Sequence, residues 1–190
     1  MPKKTSLATE FPKTILPALA KQLNCQNRLA CPRIVKVKIA TSFGKIARKG
    51  GSSNAIDETI VKKITQNIAL ICGQKPRAQK SRIAVSNFKL RKGMLIGLAA
   101  TLRQKRALDF IAKLNAIALP RVRDFHGISP KGFDGHGNYS LGLRDCTVFP
   151  EIKPDENVFS HGLEITVVTS AQDDRAGKTL LTALGFPFQK

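Results

Sequence analysis

The chain has 190 residues, of which 42% are hydrophobic, and this is enough apolar material for a real core. No apolar run is long enough to cross a membrane, and the first residues resemble neither a signal peptide nor a transit peptide. We therefore expect a folded, soluble protein inside the cell. Its net charge of +19 means that the acidic side chains are too few to balance the basic ones.

The positive charge is concentrated in one part of the chain. From Phe11 to Leu108 there are 21 Lys and Arg residues against only Asp57 and Glu58, whereas residues 109–190 carry 9 basic and 10 acidic groups. Self-repulsion would destabilise such a region unless a polyanion compensates it, and nucleic acid is the commonest polyanion. A membrane surface fits less well, because no basic amphipathic helix with an aromatic apolar face is present.

The first part of the chain alternates helix and strand patterns. An apolar face of helical spacing predicts a helix over about residues 13–24, and RIVKVKIA predicts a half-buried strand. In that strand Val35, Val37 and Ile39 share one face and Lys36 and Lys38 the other. A second helix follows, with a capping box at Asn54 and Asp57, an end at Gly73, and an apolar face formed by Ile60, Val61, Ile64, Ile68 and Ile71.

The second part begins with two strand patterns, RAQKSRIAV and MLIGLAATLR, on either side of a basic tip. A helix follows, with Ala107, Phe110, Ile111, Leu114 and Ile117 predicted to point inward. The Gly-rich and Pro-rich stretch at 120–142 predicts mostly loop, although its aromatic residues argue against disorder. CTVF and LEITVVT then read as strands, and Ser170 with Asp173 predicts the cap of a last helix.

These elements predict one α+β domain over residues 1–190. Helices do not alternate strictly with strands, so we expect a mainly antiparallel β-sheet packed against helices on one face, with long basic and Gly-rich loops. The other face of the sheet would then be free for a ligand.

No catalytic, metal or cofactor site is predicted. AGKTLL lacks the first glycine of a phosphate-binding loop, GHGNYS lacks the third glycine of a dinucleotide fingerprint, and the three histidines have neither metal-ligand spacing nor a paired nucleophile. Two classes of function remain open on charge alone: a structural RNA-binding protein, and an RNA-modifying enzyme or free RNA chaperone with a basic surface.

A set of ordered motifs favours the first class. PRIVKVKI, GQKP, NFKLRKGMLIG, TLR, LPRVRDFHGISPKGFDGHGNYSLG, FPEI and the terminal GFPF resemble, in this order and spacing, the bacterial-type L-five family of large-subunit ribosomal proteins. The resemblance covers Pro32 to Lys190. It implies a non-enzymatic protein of the ribosome in the cytoplasm, with an organellar ribosome as the alternative. Without a cofactor, such a protein binds 5S rRNA in the central protuberance and contacts 23S rRNA and neighbouring large-subunit proteins.

The resemblance also implies which residues contact 5S rRNA. The family's GQK and TLR motifs supply polar contacts, which fall on Gln74 and Thr101, with the cations Lys75 and Arg103 beside them. Helix capping by Gln74 and a plain strand-edge hydroxyl at Thr101 are the alternatives. A family Asn near the end of the first strand is Ala40 here, and Thr41 is the candidate substitute. Lys36 and Lys38 would add phosphate contacts.

Two loops have further partners in the family. The tip at 81–93 points toward the transfer RNA in the peptidyl site, which implies contacts from Arg82, Asn87, Phe88, Lys89, Arg91 and Lys92. Phe88 has an alternative interpretation, packing against its own hairpin. The loop at 120–142 extends toward a small-subunit head protein, which implies an intersubunit bridge with Arg121, Arg123, Phe125, His126, Lys131 and Phe133. Arg121, Arg123, Phe125 and Tyr139 are predicted to anchor its base.

Overall fold

A computed structural model describes residues 7, 11–25, 27–42, 58–88, 90–152 and 161–189 of the chain. The predicted capping box at Asn54 and Asp57 lies outside these residues. The α-helices are α1 (Leu16–Gln22), α2 (Glu58–Cys72), α3 (Gln104–Lys113) and α4 (Asp174–Ala183). The strands are β1 (Ile34–Ser42), β2 (Arg77–Lys80), β3 (Leu95–Arg103), β4 (Tyr139–Leu143) and β5 (Leu163–Thr169).

The five strands form one sheet in the order β2-β3-β1-β5-β4. β2 pairs with β3 in antiparallel register, with Arg77 opposite Ala99 and Gln79 opposite Gly97. The prediction of an α+β fold with an antiparallel sheet is therefore confirmed.

The chain forms two compact units. The first comprises Met1–Val37, Leu102–Leu141 and Thr166–Lys190, and the second comprises Lys38–Thr101 and Gly142–Ile165. A single domain over residues 1–190 stays a prediction. The largest buried side chains of the first unit are Leu19, Leu102, Ile111, Leu114, Leu119 and Tyr139, and those of the second are Ile39, Ile64, Ile68, Ile71 and Phe149.

Strands β1 and β5 alternate between a covered face and an open face. In β1 the side chains of Val37, Ile39 and Thr41 are buried, whereas Lys38 and Ser42 are exposed. β5 repeats the pattern, with every second residue from Leu163 to Thr169 buried. Because neighbouring side chains of a strand point to opposite faces, one side of β1 and of β5 is covered and the other side is left open.

The Gly-rich stretch at 120–142 is mostly loop, as predicted. A short 3₁₀ turn, Leu119–Arg121, leads into it, a second, Pro130–Gly132, lies within it, and its last residues, from Tyr139 onward, belong to strand β4. The chain's only tyrosine anchors it: Tyr139 is 2% exposed, and its hydroxyl donates to the Ser129 carbonyl at 2.8 Å.

Aromatic side chains from the C-terminal segment complete this anchor. Phe188 stacks on Phe133 at a centroid distance of 5.9 Å and meets Tyr139 edge-on at 5.4 Å. The backbone continues the contact, because the Ile128 amide donates to the Pro187 carbonyl at 2.7 Å. The predicted anchoring by Tyr139 is confirmed, but Arg121 and Arg123 are exposed and do not anchor the loop.

Two other sequence predictions are wrong. CTVF is a 3₁₀ turn and not a strand, since Cys146, Phe149 and Ile152 are all buried at the three-residue period of that helix type. Ile117 is 41% exposed. The chain continues from α3 into a π-helical turn, Leu114–Ala118, whose wider spacing brings Ala118 and not Ile117 inward.

The cap predicted for the last helix does not form. Asp173 is the N-cap residue but makes no side-chain capping hydrogen bond, and the Ser170 hydroxyl accepts from the Arg33 amide at 3.0 Å. None of the described helices has the length and apolar character that crossing a bilayer requires.

Candidate nucleic-acid interface

The second unit presents a polar surface on the open side of its strands. Lys38 and Ser42 of β1 are exposed there. Arg77 and Gln79 belong to the same surface as Thr101, because they pair with Ala99 and Gly97, which lie two and four residues before it on β3. We call this surface the open face and define it by the side chains of Lys38, Ala40, Ser42, Arg77, Gln79, Thr101 and Glu164.

A shallow cleft of about 570 Å³ lies on this surface. Its lining includes small residues, Ala40, Gly97 and Ala99, and the cations Lys38 and Lys80. A Cβ atom at Gly97 would meet the backbone carbonyl oxygen of Thr41, so only glycine permits this approach of β3 to β1. A flexible cation beside a surface of small residues suits close approach by a phosphate backbone.

Gln74 and Lys75 form the short connection between α2 and β2. Gly73 ends the helix as predicted, since its amide donates to the Ala69 carbonyl at 2.8 Å and its φ is +63°. Gln74 is half-buried, Lys75 is exposed, and Pro76 is buried. The two polar side chains therefore stand at the carboxyl end of a helix, where the partial negative charge favours a cation.

The predicted contact residues on β1 and β3 differ in what they can offer. Thr41 is 5% exposed, and its hydroxyl donates to the Gly162 carbonyl at 2.7 Å, so this hydroxyl already has a partner within the protein. Thr101 is half-buried on the opposite side of the sheet. Lys36, half-buried, and Arg103, exposed, lie on the parts of β1 and β3 that belong to the first unit.

The tip between β2 and β3 is a closed hairpin with cations outside. The Ser81 amide donates to the Met94 carbonyl at 2.8 Å, and Val85 and Leu90 exchange two backbone hydrogen bonds of 3.0 Å. Four of the predicted residues, Arg82, Asn87, Arg91 and Lys92, are exposed. Lys89 and the side chain of Phe88 lie outside the described part of the chain, so both interpretations of Phe88 stay open.

The residues predicted for the 120–142 loop divide by exposure. Arg121, Arg123, His126 and Lys131 are exposed, whereas Phe125 and Phe133 are half-buried. A turn within the loop is held by Asp134, whose carboxylate accepts from the His136 amide at 2.9 Å and from the Asn138 side chain at 2.7 Å. These hydrogen bonds, that from Asn138 first, lower the pKa of Asp134.

Comparison with known proteins identifies the family. Residues 95–188 match the model of the C-terminus of the ribosomal L-five protein family. The chain is 45% identical over 186 residues to the large ribosomal subunit protein uL5 of Desulfatibacillum aliphaticivorans, covering 98% of this chain and 99% of that one. It is 43% identical over 190 residues to uL5 of a Thermus thermophilus strain, with both chains covered completely.

The chain belongs to the uL5 family. It is accordingly a structural constituent of the large ribosomal subunit and binds RNA in translation, and the predicted bacterial-type resemblance is confirmed. The protein is not an enzyme, so the alternative of an RNA-modifying enzyme is wrong. Its partners are ribosomal RNA and other proteins of the large subunit.

Four residues of the open face, Ser42, Arg77, Gln79 and Glu164, were not predicted from the sequence. Arg77 and Gln79 could not be assigned to a face, because β2 is short and all four of its side chains are exposed. The exposed position of Glu164 could have been predicted, because the alternation of LEITVVT places this residue on the side of its strand opposite the buried residues.

Proposed function

We propose that the protein binds 5S rRNA through the open face. Membership of the uL5 family supports this, and so does the surface itself, where Lys38, Arg77 and the neighbouring Lys80 are exposed beside small residues. Thr101 on this face, and Gln74 and Lys75 in the connection that precedes β2, add hydrogen-bond donors. Thr41 is left out, because its hydroxyl is committed to Gly162. Lys36 and Arg103 belong to the first unit and are proposed as separate phosphate contacts.

Salt dependence tests this proposal. Each phosphate that the protein neutralises should add about −0.7 to −0.9 to the slope of log affinity against log salt concentration. Lys38→Ala should weaken 5S rRNA binding and flatten the slope by about one such step. Lys178→Ala is the matched control, since Lys178 is exposed on α4, in the acid-balanced part of the chain. A slope that does not depend on salt, or equal effects of the two variants, would contradict the proposal.

The tip at 81–93 is proposed to contact the transfer RNA in the peptidyl site, and the protein is proposed to contact 23S rRNA as well. The tip carries Arg82, Arg91 and Lys92 on a closed hairpin, and Lys89 belongs to the same segment. Salt screens exposed charges beyond a Debye length of about 8 Å, so the tip cations attract only RNA that lies next to them.

Removing the four tip charges together should leave the affinity for 5S rRNA nearly intact and weaken peptidyl-site transfer RNA binding on assembled ribosomes. Both are measured by filter binding with the same variant. A large loss of 5S rRNA affinity with unchanged transfer RNA binding would show that the tip contacts the ribosomal RNA instead.

The loop at 120–142 is proposed to reach a protein of the small-subunit head and form an intersubunit bridge. Its exposed cations stand on a base held by Tyr139 and Phe188, so little entropy is lost when the loop meets a partner. Reversing the charge of Arg123 and Lys131 should weaken subunit association in light-scattering assays. The tip variant is the control, and an equal effect of both would remove the bridge proposal.

A further inference from the structure

One acidic side chain on the open face conflicts with a purely electrostatic role for that surface. Glu164 is exposed on β5, and it lines the cleft together with Lys38 and Lys80. Next to a phosphate at 4 Å, a carboxylate is repelled by about 1 kcal/mol even in bulk water. A surface that only attracts an RNA backbone would be better without it.

The ordinary explanations of an exposed acid do not account for Glu164. Among the described residues, none forms an ion pair or a hydrogen bond with its carboxylate, although Lys38 and Lys80 line the same cleft. Solubility does not require it either, because the net charge of +19 already keeps copies of the chain apart. The carboxylate is therefore available to a ligand.

The surroundings of Glu164 fit an unpaired nucleotide. The cleft of about 570 Å³ lies within the range of small-ligand sites, and Ala40, Gly97 and Ala99 leave room above the strands. Lys38 and Lys80 can meet the phosphates on either side of a base. RNA is recognised by sequence mostly at such unpaired bases, through hydrogen bonds to their exposed edges.

The chemistry of a carboxylate selects among the four bases. An ionised Glu only accepts hydrogen bonds, through two oxygens side by side. Guanine offers two adjacent donors, N1–H and the N2 amino group, on its Watson–Crick edge. Adenine and cytosine place a ring acceptor beside their single amino group, and uracil places a carbonyl on each side of its one donor. Only guanine matches both oxygens without an opposing acceptor.

We propose that Glu164 recognises an unpaired guanine of the bound RNA by accepting hydrogen bonds from its N1–H and N2 amino groups. This rests on the proposed binding of 5S rRNA by the open face, and it assigns to that face a base-specific contact in addition to its phosphate contacts. Glu164 thereby contributes specificity at the expense of general affinity.

Glu164→Gln tests the proposal, because the two explanations predict opposite signs. If Glu164 only repels phosphates, removing its charge should tighten the binding of every RNA. If it recognises guanine, the variant should bind 5S rRNA about 5- to 150-fold more weakly, the range for a good bidentate base contact. Poly-uridine, which contains no guanine, should bind the same variant as tightly as the wild type or more tightly.

Asp109→Asn is the matched control. Asp109 is exposed on α3, outside the open face, and its change removes the same charge. It should leave 5S rRNA affinity unchanged or slightly raised. Tighter 5S rRNA binding by Glu164→Gln, or an equal loss on both RNAs, would overturn the recognition of guanine. A wild-type protein that binds 5S rRNA no better than poly-uridine would overturn the proposed function as well.

Base substitution in the RNA provides an independent measurement. Inosine lacks the N2 amino group of guanine, so 5S rRNA is prepared with inosine at one unpaired guanine at a time. At one position the substitution should weaken binding by the wild type several-fold. Glu164→Gln should bind that inosine-containing RNA as tightly as it binds unmodified 5S rRNA. Losses that are the same in both proteins at every position would refute the contact.

Discussion

Replacing Gly177 by alanine separates helix propensity from packing. Gly177 lies inside α4 and is buried, and a Cβ atom there would lie 2.6 Å from the carbonyl oxygen and 2.9 Å from the Cα of Gly137. The neighbour cannot easily give way. The Gly137 amide donates to Asp174 at 2.9 Å, its carbonyl accepts from the Thr169 hydroxyl at 2.8 Å, and its φ is +74°.

The magnitude follows from two opposing contributions. Alanine in a helix interior gains up to about 1 kcal/mol over glycine, whereas overpacking a buried site costs about 1–3 kcal/mol. We expect Gly177→Ala to lower the free energy of unfolding by about 1–2 kcal/mol, because the clash involves backbone atoms that are held by two hydrogen bonds. The melting temperature should fall by about 2–4 °C for each kcal/mol.

Urea denaturation of the free protein measures this change, with an unaltered m-value showing that only stability has changed. Gly142→Ala on β4 is the control, since nothing lies within 4 Å of a Cβ at that position. It should leave stability within about 0.5 kcal/mol of the wild type. A Gly177→Ala protein as stable as the wild type, or more stable, would show that Gly137 and Gly177 do not pack as described.

Two further predictions concern buried hydroxyl groups. Thr41→Val should lower unfolding free energy by about 1 kcal/mol in urea titrations, since it removes the hydrogen bond to Gly162, and leave 5S rRNA affinity unchanged. Burial raises the pKa of Tyr139 to about 12, so the unfolded chain ionises first, at about pH 10. Stability should therefore fall as pH rises from about 10 to 12, and tyrosinate absorbance reports this one residue; ionisation at pH 10 in the folded protein would contradict it.

Side-chain alternation predicted which residues of β1 share a face, but not where along the strand that face is covered. It separated Lys36 and Lys38 from the apolar residues, and continuing it by two residues puts Thr41 with Val37 and Ile39 on the buried face. The resemblance alone offered Thr41 as an RNA contact. Alternation cannot say whether a face is covered at a given position, and Val35 is 46% exposed although it belongs to the apolar series.

The errors in the helices and turns have a common cause. The spacing of buried residues depends on the helix type, and no pattern in the sequence marks the change from α to π or 3₁₀ geometry. Leu114 was predicted correctly because it lies at the end of the regular spacing, and Ile117 was predicted wrongly because it follows the change. The prediction of a strand at CTVF was wrong for the same reason, because a segment of four residues is too short to distinguish the three-residue period of a 3₁₀ turn from the pattern of a strand.

The open face illustrates what composition cannot supply. Lys38, Gln79 and Glu164 come from three distant segments, and only the strand order β2-β3-β1-β5-β4 brings them to the border of one cleft. Counting charges located the basic half of the chain. It did not single out Glu164, which is one of 10 acidic residues in the half where acidic and basic groups balance. Because β5 lies beside β1 in the sheet, this acid is carried among the cations. A surface that attracts phosphates at Lys38 and accepts hydrogen bonds at Glu164 can hold an RNA and also distinguish one base from another.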